Sequence, residues 1–139
     1  MEGKVVLVTG ASSGIGAGIA LHLASLGSRL SLVARGQEAL QGVARECREA
    51  GAGEVLVLAK DLALEEACRA AVAETVDHFG QLDVLVNSAG ILMAGSIESL
   101  SVSDYDRVMN INTRSALILT QAAVTPLLLS KGNIVHISR

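Results

Sequence analysis

The sequence predicts an α/β fold, a doubly wound parallel sheet in the order βαβαβαβαβ. Three observations carry this reading. Short apolar runs of strand length recur along the chain, continuous rather than alternating, as in strands covered on both faces. Stretches of helical length and periodicity separate them. The first run also ends in a glycine-rich turn that opens the first helix. Strands alternating with helices demand a parallel sheet with right-handed crossovers, a Rossmann-type architecture. Residues 1–139 are read as one domain, because no repeat, linker or low-complexity tract interrupts them.

Residues 5–8, all apolar, are the first strand, and Thr9-Gly10 ends it. Residues 14–27 read as a helix, with Ile15, Ile19, Leu23 and Leu26 turned inward and Gly27 as its stop. Residues 30–34 are the second strand. Residues 37–50 form an amphipathic helix: Leu40, Val43, Ala44 and Cys47 face inward, and Arg45, Glu46, Arg48 and Glu49 lie around it. Residues 55–59 are the third strand. A helix over 64–79 follows, closed by Gly80, with Asp61 as a candidate N-cap. Residues 84–86 are the fourth strand, entering Asn87-Ser88-Ala89-Gly90, and 91–100 read as a loop. Ser101 or Ser103 caps a long helix from about 104 to 129, and Gly132 turns into a last strand, 134–137.

Composition limits what such a sheet can serve. With 50% hydrophobic and 18% charged residues the chain is too apolar for disorder. A net charge of -3 gives no basic footprint, so no nucleic-acid partner is expected. Mean hydropathy is +0.49, yet the uncharged stretch 115–130 holds Gln121, Thr125 and Pro126. A spanning helix needs about 18 apolar residues, so no membrane span is expected. The apolar run at the N-terminus is too short for a signal-peptide core. Cys47 and Cys68 lack metal-ligand spacing, so no metal is expected, and reduced thiols point to a cytoplasmic protein, though they fit an organelle too.

The turn after the first strand reads Thr9-Gly10-Ala11-Ser12-Ser13-Gly14-Ile15-Gly16. Glycines between a strand and a helix let the backbone approach a pyrophosphate, and the helix N-terminus adds free N–H groups and the positive end of its dipole. The spacing is G-x-x-x-G-x-G rather than G-x-G-x-x-G, but it sits at the opening of a βαβ unit, where the mechanism requires it. A tight turn with no ligand is the plainer alternative. An acid about 20 residues past the glycines would bind a ribose 2′-hydroxyl. Here the second strand ends Val33-Ala34-Arg35-Gly36, without an acid. Arg35 suits a 2′-phosphate, with Ser12 and Ser13 in reach, and this favours NADP(H) over NAD(H).

With this glycine turn, Asp61-Leu62 after the third strand and Asn87-Ser88-Ala89-Gly90 after the fourth in view, the chain resembles the short-chain dehydrogenases/reductases. The resemblance runs from Lys4 to Ser138 and departs at Ser88, where a second Asn is common. It implies hydride transfer between NADP(H) and a small-molecule carbonyl or alcohol. It places Gly10, Ser12, Ser13, Gly14, Ile15, Gly16 and Arg35 at the cofactor, Asp61 and Leu62 beside the adenine, and Asn87, Ala89 and Gly90 along its path. In Asp106-Arg107-Val108-Met109-Asn110-Ile111-Asn112, Asn112 matches the Asn of a catalytic Asn-Ser-Tyr-Lys tetrad, where the family uses a helix irregularity that holds a water.

The tetrad is otherwise missing. A tyrosine acid needs a neighbouring cation to bring its pKa down from about 10, and no Tyr-x-x-x-Lys occurs. The one tyrosine, Tyr105, is followed four residues on by Met109, and packing is its expected role. Ser138 matches the first serine of the family's Ser-Ser pair, and Arg139 stands where the usual catalytic serine would be. A register shift of one residue would make Ser138 catalytic. The chain is therefore expected to be a C-terminally truncated form, inactive alone. Two other readings are a non-catalytic NADP(H)-binding module and an interaction protein that pairs with a full-length relative through the helix near 104–129. That helix is apolar nearly all round, so one face needs a partner, and a homo-oligomer is implied for the full-length protein.

Overall fold

A computed structural model describes residues 1–92 and 95–138. Its elements are Val5–Thr9 (β1), Gly14–Ser25 (α1), Arg29–Ala34 (β2), Gln37–Ala50 (α2), Glu54–Ala59 (β3), Glu65–Phe79 (α3), Val84–Asn87 (β4), Val102–Met109 (α4), Ser115–Ser130 (α5) and Asn133–His136 (β5). A π-turn, Asn110–Arg114, joins α4 to α5. Part of the loop expected at 91–100, and the reading of Arg139, lie outside the described residues.

The five strands are parallel in the order β3-β2-β1-β4-β5. This is the doubly wound Rossmann-type sheet expected from the alternation. The chain winds outward from β1 to β3, then returns to place β4 on the other side of β1. The helices that follow β1 and β4 therefore cover opposite faces of the sheet, and at such a reversal open α/β sheets leave a crevice.

The apolar runs are continuous because both faces of the sheet are covered. Val5 and Leu7 pack with Leu119 and Ala123 of α5 and Val72 of α3. Val6 and Val8 point the other way, toward Ala20 of α1 and Leu40 and Val43 of α2. These four apolar β1 residues are fully buried, and burying each such side chain contributes about 1.5–3 kcal/mol.

Two helices differ from expectation. In α1 the buried residues are Gly16, Ala20 and Ala24, whereas Ile15 and Leu26 are exposed and Ile19 and Leu23 half-buried. A stripe of small residues four apart lets the helix approach the sheet closely, and the larger side chains flank the contact. The long helix expected over 104–129 is interrupted. Ser101 caps α4 by accepting the N–H of Asp104 at 3.0 Å, and the π-turn follows α4. Beyond it, α5 buries Ile118, Leu119, Ala123 and Leu127 and leaves Leu117, Leu128 and Leu129 exposed. Strand β5 is an open edge, with Val135 exposed.

Among the described residues, no helix is long and apolar enough to cross a membrane.

Candidate functional site

The turn from β1 to α1 is built from backbone that side chains would block. Gly10 and Gly14 have φ of 64° and 57°, a left-handed region costly for any residue with a Cβ. A Cβ at Gly10 would lie 2.8 Å from both the Ala89 Cα and the Ser88 carbonyl oxygen. One at Gly16 would collide with the Gly10 carbonyl and lie 2.7 Å from Ser88 Oγ. One at Gly14 would meet nothing within 4 Å. Gly10 and Gly16 thus lock the turn onto the segment after β4, while Gly14 presents bare backbone to open space. Ser13, the N-cap of α1, makes no side-chain capping bond, so it leaves the first N–H groups of the helix to other acceptors.

Thr9 holds the two loops together. Its hydroxyl oxygen accepts the N–H groups of Ser88 and Ala89, each at 3.0 Å, and donates to the Val86 carbonyl at 3.4 Å. Ser88 Oγ returns a hydrogen bond to the Thr9 carbonyl. The sequence reading used Thr9 only as the end of a strand. Its 1% exposure beside a second small polar residue is the signal that it bridges β1 and β4.

Two clefts open on either side of this junction, and Ala89 borders both. The larger, about 410 Å³, lies between the glycine turn, the ends of β2 and β3, and α4. Its charged groups are Arg35, Lys60, Asp61 and Arg107. Lys60 Nζ pairs with Glu74 at 2.6 Å, and Arg107 Nη2 lies 3.7 Å from Asp61 Oδ1. Arg35, at the end of β2, is exposed and has no ion pair among the described residues. With Lys60 and Arg107 each facing a carboxylate, Arg35 is the cation of this cleft left without an ion pair among the described residues.

The sequence-predicted residues divide between the clefts. Gly10, Ser12, Ser13, Gly14, Arg35, Asp61, Leu62 and Gly90 border the larger one. Ile15 and Gly16 do not, for Gly16 is buried under the turn and Ile15 points to solvent. Asp61 does not cap α3. Leu64 holds the N-cap position without a side-chain bond, and Asp61 stands three residues too early, so its Oδ1 accepts the N–H of Ala63 at 3.0 Å instead. Leu62 is buried in the core beneath the rim. Sequence reasoning missed Lys60, Arg107 and Ile111, which also border this cleft.

The second cleft, about 310 Å³, is bordered by Asn87, Asn112, His136 and Ser138 among others. Asn112 sits in the middle of the π-turn, whose Ser115 N–H reaches back to the Asn110 carbonyl. Short π segments occur disproportionately at functional sites. Its side-chain amide pairs with the Ile91 peptide, Oδ1 accepting the N–H at 2.8 Å and Nδ2 donating to the carbonyl at 2.9 Å. Asn87, 6% exposed, donates from Nδ2 to His136 Nδ1 at 3.2 Å and Thr120 Oγ1 at 3.5 Å. Its Oδ1 is buried without a hydrogen bond among the described residues. Ser138 is exposed at the rim. Tyr105 is 45% exposed on α4, which buries no residue, so the packing expected of it is not made within the described residues.

Residues 4–139 match the family described as short chain dehydrogenase. The chain belongs to that family. This short-chain dehydrogenase sequence is 42% identical over 139 residues to the 11-beta-hydroxysteroid dehydrogenase-like 2 of Arabidopsis thaliana, covering 99% of this chain and 45% of that protein. A metagenomic short-chain oxidoreductase solved in complex with NADP superposes with a TM-score of 0.92 at 37% identity, covering 99% of this chain and 63% of that one. An NAD+-bound xylitol dehydrogenase superposes with a TM-score of 0.90 at 34% identity, covering 97% of this chain and 52% of that one. The chain thus spans about half the length of these short-chain dehydrogenases. One of the two solved relatives carries NADP and the other NAD+.

Proposed function

We propose that residues 1–139 form the NADP(H)-binding half of an oxidoreductase that moves hydride between NADP(H) and a small-molecule carbonyl or alcohol. The observation that carries this reading is the bare backbone at Gly14, on the larger of two clefts that meet at Ala89, where the strand order reverses. A dinucleotide has two arms joined by a pyrophosphate, and this end of the sheet offers two clefts that meet at Ala89, the larger of them bordered by the glycine turn. Gly14 and the first N–H groups of α1 would take the pyrophosphate. Gly10 and Gly16 let the turn pack against the segment after β4, and Ile15 lies on its solvent side. Asp61 and the Leu62 backbone would face the adenine arm. Asn87, Ala89 and Gly90 would line the path between the arms. When bound, the nicotinamide supplies the hydride chemistry, and the protein supplies binding and orientation.

The preference for NADP(H) rests on Arg35. Its guanidinium has no ion pair among the described residues, and no acid at the end of β2 competes for a ribose. A fork of N–H donors suits phosphate oxygens, with Ser12 and Ser13 on the same cleft.

On the nicotinamide side, Asn112 would act as a tetrad member by holding the loop at Ile91 and shaping the π-turn, and Ser138 faces the same cleft. Residues 1–139 contain no Tyr-x-x-x-Lys. We therefore read them as binding NADP(H) without turning it over. Absorbance at 340 nm with a panel of ketones and aldehydes tests this. Purified residues 1–139 should leave NADPH unoxidised, and sustained carbonyl-dependent oxidation would overturn the reading.

A second reading, pairing with a full-length relative or another copy, is favoured by one observation. Leu117, Leu128 and Leu129 stand 58%, 73% and 83% exposed along α5. An apolar stripe of this kind is a protein-interaction surface or an aggregation liability. Co-expression with a full-length homologue should yield a mixed dimer, and recovery of unmixed species alone rejects this reading.

A further inference from the structure

Ser115 serves two carbonyls where the π-turn meets α5. In an α-helix its N–H would bond the carbonyl four residues back, that of Ile111. Here the N–H goes to Asn110, five residues back, and the Ser115 hydroxyl donates to the Ile111 carbonyl in its place. The residue is 3% exposed and borders the second cleft beside Asn112. From outside the fold, Arg114 Nη2 reaches Glu65 Oε1 at 3.2 Å, but those side chains are 46% and 49% exposed, and such pairs contribute little. The buried hydroxyl is the stronger hold on the turn.

We propose that Ser115 is a positioning residue for Asn112: its hydroxyl takes over the Ile111 carbonyl, holds the π register, and so keeps the Asn112 amide squared onto Ile91. Each residue of an α-helix turns the chain by about 100°, so the extra residue of a π-turn decides which way the side chains within and before it face. The C-terminal side is fixed, because α5 is anchored by buried Ile118, Leu119, Ala123 and Leu127. The N-terminal side is free to give, because α4 buries no residue. Slack at the turn therefore passes to Asn112 and α4. The two hydrogen bonds between Asn112 and Ile91, at 2.8 and 2.9 Å, need near-linear geometry and tolerate little rotation. Ile91 borders the larger cleft and Asn112 the second, so this clamp ties the walls of both. That it serves the nicotinamide arm rests on the dinucleotide reading given above. The clamp itself is measurable without ligand, so the two fail separately.

Amide hydrogen exchange on the whole 139-residue chain tests this, with Ile91 compared against Leu32 in β2. Ser115→Ala should quicken exchange at Ile91 by about tenfold, the scale of one hydrogen bond withdrawn from a buried partner, and leave Leu32 close to the wild type. Ser115→Thr keeps the hydroxyl and should restore most of the protection. Ser115→Cys matches serine in shape with only a weak donor; it should fall between the two, and it reads the site if the alanine variant does not fold. Adding Ser115→Ala to Asn112→Ala should change Ile91 by no more than about twofold, because the route through Asn112 is already cut. A role confined to packing would quicken Ile91 and Leu32 together. That result, unchanged exchange at Ile91 in folded Ser115→Ala, or the full increment on top of Asn112→Ala, overturns the role of Ser115. The dinucleotide reading falls only if the folded wild type binds no NADPH.

Discussion

The side-chain amide of Asn112 pairs with the backbone of Ile91 on both its edges, at 2.8 and 2.9 Å. A residue in a π-turn thereby imitates a neighbouring strand and fastens the chain leaving β4 to the helix beyond it. Asn is unfavourable inside an α-helix because its side chain competes for backbone hydrogen bonds. Here that competition is put to use, since the amide finds backbone 21 residues away. Asn112→Ala should cost about 1–3 kcal/mol, the range for hydrogen bonds removed with partners left unpaired. Hydrogen exchange at the Ile91 amide should quicken more than exchange in β2. Equal protection of Ile91 in both proteins would remove Asn112 from this role.

Two glycines two residues apart on α1 should respond oppositely to the same change. Gly16→Ala drives a methyl group into the Gly10 carbonyl and Ser88 and should destabilise by about 1–3 kcal/mol, as overpacking does. Gly18 has open space around it, so Gly18→Ala should stabilise by about 0.5–1 kcal/mol through reduced chain entropy and better helix propensity. Thermal melts of the two variants read the contrast, and a loss of similar size in both would refute the packing assigned to Gly16.

Arg35→Asp puts an acid where a ribose 2′-hydroxyl would be read and removes the fork available to a 2′-phosphate. The ratio of NADPH to NADH affinity should fall by about 10- to 100-fold, the scale of hydrogen bonds to charged groups. Titration of intrinsic NAD(P)H fluorescence measures both ligands under one condition. A ratio that does not move would show that Arg35 does not read the phosphate.

Much of this was legible in the sequence, for identifiable reasons. The sheet was readable because Val5, Val6, Leu7 and Val8 are apolar without alternation, which only a strand covered on both faces tolerates. The glycine turn was readable because Gly10 and Gly14 supply left-handed backbone that other residues avoid. What escaped depended on distances across the fold. Helical periodicity turned Ile15 and Leu26 inward, but the close approach of α1 to β1 reserves that face for Gly16, Ala20 and Ala24. Asp61 looked like a cap because of its place in the chain, but an offset of three residues from the helix start turned it into a local turn-former and a partner for Arg107. Thr9, Lys60 and Arg107 carry no local signal of their own, and only the sheet order brings them to the clefts.

The two thiols should be inert near neutral pH. Burial pushes the Cys47 thiol up from 9.0 to about 11, with Glu46 adding to the rise. It raises Cys68 too, partly offset by Arg114 and Arg69. Labelling at pH 8 should be slow in the native protein and complete in urea. For stability the sign is set by the raised folded value. Below pH 9 Cys47 is neutral in both states and its contribution is fully present. As pH climbs from 9 toward 11 the unfolded chain ionises first, and stability falls. Urea unfolding at pH 8 and pH 10 should show a steeper loss for the wild type than for Cys47→Ala, and equal slopes would contradict the assignment.

The central claim is that the glycine turn and its two clefts hold a phosphorylated dinucleotide, and calorimetric titration of the purified 139-residue chain with NADPH tests it most directly. A sample shown to be folded by circular dichroism should give saturable heat at one NADPH per chain, with weaker binding of NADH. Heats no larger than dilution from that folded sample would contradict it.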